Sequence, residues 1–354
     1  MREISNLIND LVFWALSFFE AEQGLIMVVS VFIKVVLVVL LIMMCVAYLT
    51  WLERKIHGLI HMRKGPNVVG PFGLLQPIAD GLKLFLKEII IPIKADKPVF
   101  FLAPVITFVV AMLGWAVIPV DAGVVFANIN VGVLYLLATS SLGVYGIIMA
   151  GWASKSQYSF LGGIRSSAQM ISYELSMGLV ILSVILFSGS LNMTNIVEAQ
   201  KDGWYFIKLL PLAVMFFIII VAETNRHPFD LPEAESDLVG GYHTEYSGFA
   251  FALFFLAEYA NMMLMSSFFT VLFLGGWLPL LSFGIFAEIP GFIWFILKVV
   301  FLLIIMIQLR SVLPRYRYDQ LMALGWRYLL PMSLAIFVIL ACYLKFTNNL
   351  PMVY

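Results

Sequence analysis

Eight apolar runs, each near twenty residues or longer, partition this chain: roughly 25–50, 99–118, 132–151, 171–188, 205–222, 248–273, 291–309 and 327–345. A bilayer's hydrocarbon core is about 30 Å thick, and a helix of about 20 apolar residues crosses it. At that depth no water pairs the backbone, so an element that satisfies its own N–H and C=O groups is required, which here means helices. The expected fold is therefore all-α: a polytopic membrane protein with about eight transmembrane helices, forming one integral membrane domain over residues 1–354. With 62% hydrophobic and 12% charged residues, the composition excludes a water-soluble globule.

Orientation follows from the basic residues. The loops after the first, third, fifth and seventh spans hold 15 of the 21 Lys and Arg, whereas Arg2, Lys201, Lys208 and Lys345 fall on the other side. The positive-inside rule turns the first group towards the cytoplasm or matrix and both termini outwards. The two long loops, 51–98 and 222–248, lie on that inner face. The start of the chain, residues 1–24, reads as a short interfacial helix or as a lead into the first span. It shows no secretory cleavage site and no Arg-rich transit peptide.

The first long loop begins as a continuation of the first helix, which Gly65-Pro66-Asn67 and Gly70-Pro71 break. Beyond them Ile78, Leu82, Phe85, Leu86 and Ile89 alternate at helical spacing with Asp80, Lys83, Lys87 and Glu88. That pattern predicts an amphipathic surface helix, resting on lipid headgroups or, with the Arg54, Lys55, Arg63 and Lys64 cluster, docking a partner.

The second long loop carries six carboxylates between Ala222 and Gly248 (Glu223, Asp230, Glu233, Glu235, Asp237 and Glu245) against a single Arg226. A solvated acidic connection would explain the charge but not the rest. Pro228 and Pro232 fix the backbone twice in five residues, and Phe229, Leu231, Leu238, Val239, Tyr242 and Tyr246 demand burial. A loop folded back on protein desolvates its carboxylates, and desolvation with mutual repulsion moves such groups towards proton exchange at neutral pH.

Ionisable residues within the spans are expensive and therefore informative. Glu258 lies about ten residues into the sixth run, and Glu174 is expected within the first turns of the fourth, near the inner face. Each is either a protonated acid bonded to a neighbouring helix or part of a proton path. Lys34 and Lys298, on the outer half, are expected to snorkel. After the seventh run, Arg310, Arg315 and Arg317 interleave with Tyr316, Tyr318 and Asp319, a pattern that suits both an inside anchor and partner or anion recognition.

Several chemistries are absent from the pattern. His57 and His61 are four apart, but no further ligand pair accompanies them, and His227 and His243 lie in another loop, so no metal site is expected. No histidine falls within the predicted spans to ligate haem. Cys45 and Cys342 form no disulfide framework or metal motif. There is no Cys-x-x-Cys, no Gly-x-Gly-x-x-Gly and no phosphate-binding loop, so the chain is expected to bind no redox cofactor, nucleotide or nucleic acid, and to have no catalytic residue of its own.

Four blocks in order carry a family resemblance: TWLERKIHGLIHMRKGPNVVGPFGLLQPIADGLKL, GGIRSSAQMISYE, AETNRHPFDLPEAESDLVGGYHTEYSG with FALFFLAEYAN, and PRYRYDQLMALGW. From about Thr50 to Leu330 the chain resembles the membrane subunit 1 family (the H-type subunit) of proton-pumping NADH:quinone oxidoreductase, respiratory complex I. The resemblance implies a heel subunit of the membrane arm, forming a ubiquinone chamber together with peripheral-arm subunits that carry the terminal iron-sulfur cluster. Ubiquinone is then the substrate, with NADH, FMN and the iron-sulfur clusters bound in partner subunits. Small membrane-arm and antiporter-like subunits are further implied partners, in a bacterial inner or mitochondrial inner membrane.

Carried over by position, the resemblance places Glu53, Arg54, Arg63, Asp80, Arg165, Arg226, Phe255, Arg315, Arg317 and Asp319 near the quinone tunnel or its junction. It places Glu174, Glu223, Asp230, Glu233, Glu235, Glu245 and Glu258 along a carboxylate-lined proton route. His227 departs from the smaller residue usual before the proline, and Asp237 from a more common glutamate. Two rival readings remain: a related membrane subunit of an energy-converting hydrogenase or other-donor dehydrogenase, and a stand-alone ion transporter. The transporter reading calls for an internal repeat, which the sequence lacks.

Overall fold

The computed structural model describes residues 23–230, 239–280 and 289–347. The expected helix over residues 1–24 therefore lies almost wholly outside the described residues, as do Leu231, Glu233, Glu235, Asp237 and Leu238. The elements in order are α1 (Gln23–Ile60), α2 (Gln76–Leu86), α3 (Lys97–Leu113), α4 (Gly132–Ala153), α5 (Gln157–Ser188), α6 (Met193–Glu198), α7 (Tyr205–Lys208), α8 (Leu210–Glu223), α9 (Gly248–Phe273), α10 (Gly291–Val312), α11 (Tyr318–Ala323) and α12 (Leu330–Phe346). Extended pairing among the described residues is limited to an isolated bridge between Asp121 and Val124.

The chain is an all-α polytopic membrane protein. Seven helices among the described residues are long and apolar enough to cross a membrane. The fifth expected span, 205–222, is divided. Leu209 adopts φ −122°, ψ 37° and separates α7 from α8, at the point where Pro211, lacking an N–H, could not bond the Ile207 carbonyl of a continuous helix. The remaining 14 residues of α8 extend about 21 Å at 1.5 Å per residue, short of the hydrocarbon thickness.

Three helices reach further than their apolar runs. The first continues to Ile60, carrying Glu53, Arg54 and His57 on helix, and stops before the Gly-Pro breaks, where Met62 has φ +53°. The fourth begins at Gln157, so Arg165 is helical, and Glu174 sits well inside the helix instead of in its first turns. The last runs from Tyr318 to Phe346 through a π-helical turn at Leu324–Leu329. The segment expected as a loop after α10 shrinks to residues 313–317. In each case polar residues lower the hydropathy without breaking the backbone ladder.

Within α5, Gly162 and Gly163 permit close approach to other backbone. A Cβ on Gly162 would stand 2.7 Å from the Gly241 Cα, and one on Gly163 would stand 3.5 Å from the Gly151 Cα. The amphipathic helix forms as α2, with Ile78, Leu82, Phe85 and Leu86 all exposed on the isolated chain.

In the bundle α3 packs on α4, α4 on α5, and α5 also on α8 and α12; α9 lies against α3, α10 and α1. Between α8 and α9 an aromatic cluster fills the core, with Phe216 5.7, 6.0 and 5.5 Å from the rings of Phe268, Phe269 and Phe273. The loop aromatics fold inwards as expected: Phe229, Tyr242 and Tyr246 are buried, whereas Val239 is exposed. Tyr246 stacks flat on Phe100 with centroids 4.0 Å apart, and burial pushes its phenol pKa up.

Lys298 overturns the snorkelling expectation. It is buried, and its Nζ donates to the carbonyls of Leu274 (2.6 Å), Gly276 (2.9 Å) and Leu278 (2.6 Å), 4.4 Å from the Trp204 ring. The cation closes the C-terminal end of α9, where carbonyls lack helical partners and the helix dipole is negative. Lys298→Met strands three acceptors, each worth about 1–3 kcal/mol when buried and unpaired. A clear fall in the thermal inactivation midpoint is expected; a snorkelling lysine would leave it unchanged.

Candidate functional site

The C-terminal end of α8 positions the first functional groups. The helix stops at Glu223, and Asn225 turns the chain with φ +50°, a left-handed conformation that asparagine tolerates. The Arg226 N–H then donates to the Val221 carbonyl (3.2 Å) and the Phe229 N–H to the Arg226 carbonyl (2.8 Å). From α5, the fully buried Gln169 donates to the carbonyls of Ala222 (2.7 Å) and Phe229 (3.0 Å). The turn is thus fixed on both sides, and the Arg226 side chain is aimed between helices.

Four elements meet around it. Arg226 Nη1 donates to Glu53 Oε1 of α1 at 3.0 Å, its Nε lies 3.0 Å from Glu258 Oε1 of α9, and its guanidinium stands 4.3 Å from the Tyr259 ring. Arg310 of α10 donates to Glu53 Oε1 at 2.7 Å, and the Tyr259 hydroxyl donates to Glu53 Oε2 at 2.5 Å. The cluster balances two carboxylates with two guanidinium groups. Burial acts to discharge Arg226, but Glu258, Tyr259 and Glu53 outweigh it and hold its pKa well above the usual arginine value. Buried charges survive only with such pairing.

A cavity of about 80 Å³ adjoins this cluster. Glu258 and Glu223 both line it, together with Thr107, Thr139, Ser140, Thr224, Asn225 and Asn261. A water needs about 10–15 Å³ of such space and two or more polar partners, so the cavity, although walled mainly by apolar groups such as Val110, Ile147, Phe254 and Leu264, has room for water beside its polar residues. Glu223 is 1% exposed, and its Oε2 and the Asn225 Oδ1 have no hydrogen-bond partner among the described residues. Glu174 accepts a short hydrogen bond from the Ser141 hydroxyl and lies close enough to Glu223 to interact with it electrostatically. Glu223 and Glu258 thus face one cavity, with Arg226 and Glu53 beyond Glu258 and Glu174 within electrostatic reach of Glu223.

The other residues singled out in the sequence distribute elsewhere. Phe255 stacks against Tyr259 at 4.5 Å, on the edge of the cluster. Arg54 pairs with Asp80 of α2 at 2.6 Å, on a partly exposed surface. Arg63 is exposed, and Arg317 and Asp319 stand 3.9 Å apart with both side chains mostly in solvent. Arg165 stands 5.7 Å from the Tyr318 ring. Asp230 is buried and meets His227 (3.1 Å) and Arg315 (3.4 Å). Glu245 is half-buried in the loop before α9.

The histidine pair of the sequence keeps its helical spacing, the His61 N–H donating to the His57 carbonyl at 3.0 Å. His57 Nδ1 is 2.7 Å from the Ser311 hydroxyl and its Nε2 3.5 Å from Glu53, while His61 lies past the end of α1. Tyr259 and Arg310 were not expected at the site. Their only signals were the place of Tyr259 beside an intramembrane glutamate and that of Arg310 at the inner end of an apolar run.

Comparison with known proteins places the chain in a family. The family described as NADH dehydrogenase matches residues 33–341. The NADH-quinone oxidoreductase H-subunit of Rickettsia prowazekii (strain Madrid E) is 61% identical over 323 residues, 91% of this chain and 95% of that protein. The H-subunit of Rhodospirillum rubrum is 62% identical over 307 residues, covering 86% and 91%, and that of Rickettsia rickettsii (strain Iowa) 59% over 336 residues, covering 94% and 98%. Over nearly its whole length, then, this chain belongs to the NADH dehydrogenase family, in the company of the H-subunits of NADH-quinone oxidoreductase.

Proposed function

We propose that this chain is the heel subunit of the membrane arm of a proton-pumping NADH:quinone oxidoreductase. In this reading it forms a ubiquinone chamber with the peripheral arm and couples quinone reduction to proton translocation. The observation that carries it is the cavity faced by Glu223 and Glu258, with Glu174 near Glu223, and Arg226 and Glu53 beyond Glu258. The long loops face the cytoplasm or matrix and both termini face outwards.

Reduction of a quinone to quinol consumes two electrons and two protons, so charge changes near the chamber with each turnover. The electrons come from flavin and iron-sulfur clusters in partner subunits. This chain's residues respond electrostatically: the Glu53–Arg226–Glu258 cluster is charge-balanced, so a change at its Glu53 end alters the field at Glu258 and, across the cavity, at Glu223. Glu223 and Glu174 then exchange protons as a coupled pair, not as independent sites. The proposed route also takes in Asp230, Glu233, Glu235 and Glu245. Antiporter-like partner subunits receive the result.

The test is to tag this chain, extract it in mild detergent, and record the visible spectrum and NADH-to-quinone activity of what copurifies. Flavin and iron-sulfur absorbance with inhibitor-sensitive quinone reduction is the expected result. A colourless chain that purifies alone and exchanges ions would overturn the reading in favour of a transporter.

A further inference from the structure

His227 joins two loops through both of its ring nitrogens. Arg315 Nε donates to His227 Nε2 at 3.0 Å, which requires a lone pair on that nitrogen. The ring proton is then on Nδ1, 3.1 Å from Asp230 Oδ2, and Arg315 Nη2 reaches the same oxygen at 3.4 Å. Around this triad the Tyr316 N–H donates to the Pro228 carbonyl (3.1 Å), and the Phe229 and Tyr316 rings stack with centroids 5.6 Å apart. These contacts clasp the loop after α8 to the segment between α10 and α11.

We propose that this clasp is proton-sensitive: it closes around the neutral imidazole of His227 and loosens when that ring is protonated. A second ring proton would sit on Nε2 and point at the Arg315 N–H, placing donor against donor and cation against cation at 3.0 Å. The charged groups facing the ring among the described residues are Asp230 from its own loop and Arg315 from the segment after α10. Asp230 attracts a protonated ring, but Arg315 already neutralises the same carboxylate oxygen. The sign of the response is fixed: the open clasp holds one proton more than the closed one, so closure weakens as pH falls.

The test is hydrogen exchange at segments 224–230 and 313–318 in the assembled, detergent-solubilised complex, corrected for intrinsic exchange, with His227→Gln and His227→Ala beside the wild type. Gln can accept from Arg315 without titrating, and Ala leaves the Arg315–Asp230 pair. Between about pH 8 and about pH 6, wild-type protection is expected to fall about tenfold and that of both variants less than about twofold, since one proton linked to opening changes the equilibrium by up to tenfold per pH unit. Wild-type protection independent of pH, or an equal fall in the variants, would overturn the proposal.

Discussion

Arg226→Met is expected to lower the amount of assembled protein in the membrane at least about tenfold. The substitution leaves Glu53, 4% exposed, and Glu258 without the cation that lies 3.0 Å from each. Breaking a buried ion pair by removing one partner costs about 3–5 kcal/mol, because the other charge stays buried. Against a typical folding stability of about 5–15 kcal/mol, that is a large share. Arg310 still reaches Glu53 at 2.7 Å, so part of the pairing at that carboxylate survives. Arg226→Lys retains the charge but not the fork that serves both carboxylates, and an intermediate level is expected. Native gels of solubilised membranes measure both variants; wild-type levels of Arg226→Met would contradict the pairing.

Glu223→Gln is expected to do the opposite: assembly remains intact while NADH-to-quinone turnover falls about tenfold or more, within the range ascribed to a positioned proton-transfer group. The replacement is nearly isosteric and neutral, and no cation among the described residues is paired with Glu223, so the fold loses little. What disappears is a side chain able to take up and release a proton between Glu174 and the cavity. Parallel assay with a soluble electron acceptor, which bypasses the quinone, separates the two effects. Equal loss with both acceptors would show that the variant damages the assembly instead.

The spans were legible in the sequence because hydrocarbon thickness imposes a length that a run of apolar residues reports directly. The polar extensions of α1, α5 and the α11–α12 helix were not, since hydropathy registers side-chain polarity and not the backbone ladder that continues through it. Glu53, Arg226 and Glu258 stand out by charge in an apolar chain. Their partners do not: Tyr259 and Arg310 reach Glu53 across 206 and 257 residues, and no local spacing encodes such a contact. Lys298 marks a similar limit. Its position near the outer face fits snorkelling equally well, and only the turn of carbonyls at Leu274, Gly276 and Leu278 decides for burial. The acidic loop's aromatics were readable, because Phe229, Tyr242 and Tyr246 have apolar area that a solvated loop would leave exposed.

The most direct test of the coupling claim is proton uptake by proteoliposomes during NADH oxidation, with the wild type beside Glu174→Gln, Glu223→Gln and Glu258→Gln. The wild type is expected to acidify the vesicle interior, and each variant to lose most of this signal per unit of assembled complex. Proton uptake at the wild-type rate in all three variants would remove these carboxylates from the mechanism.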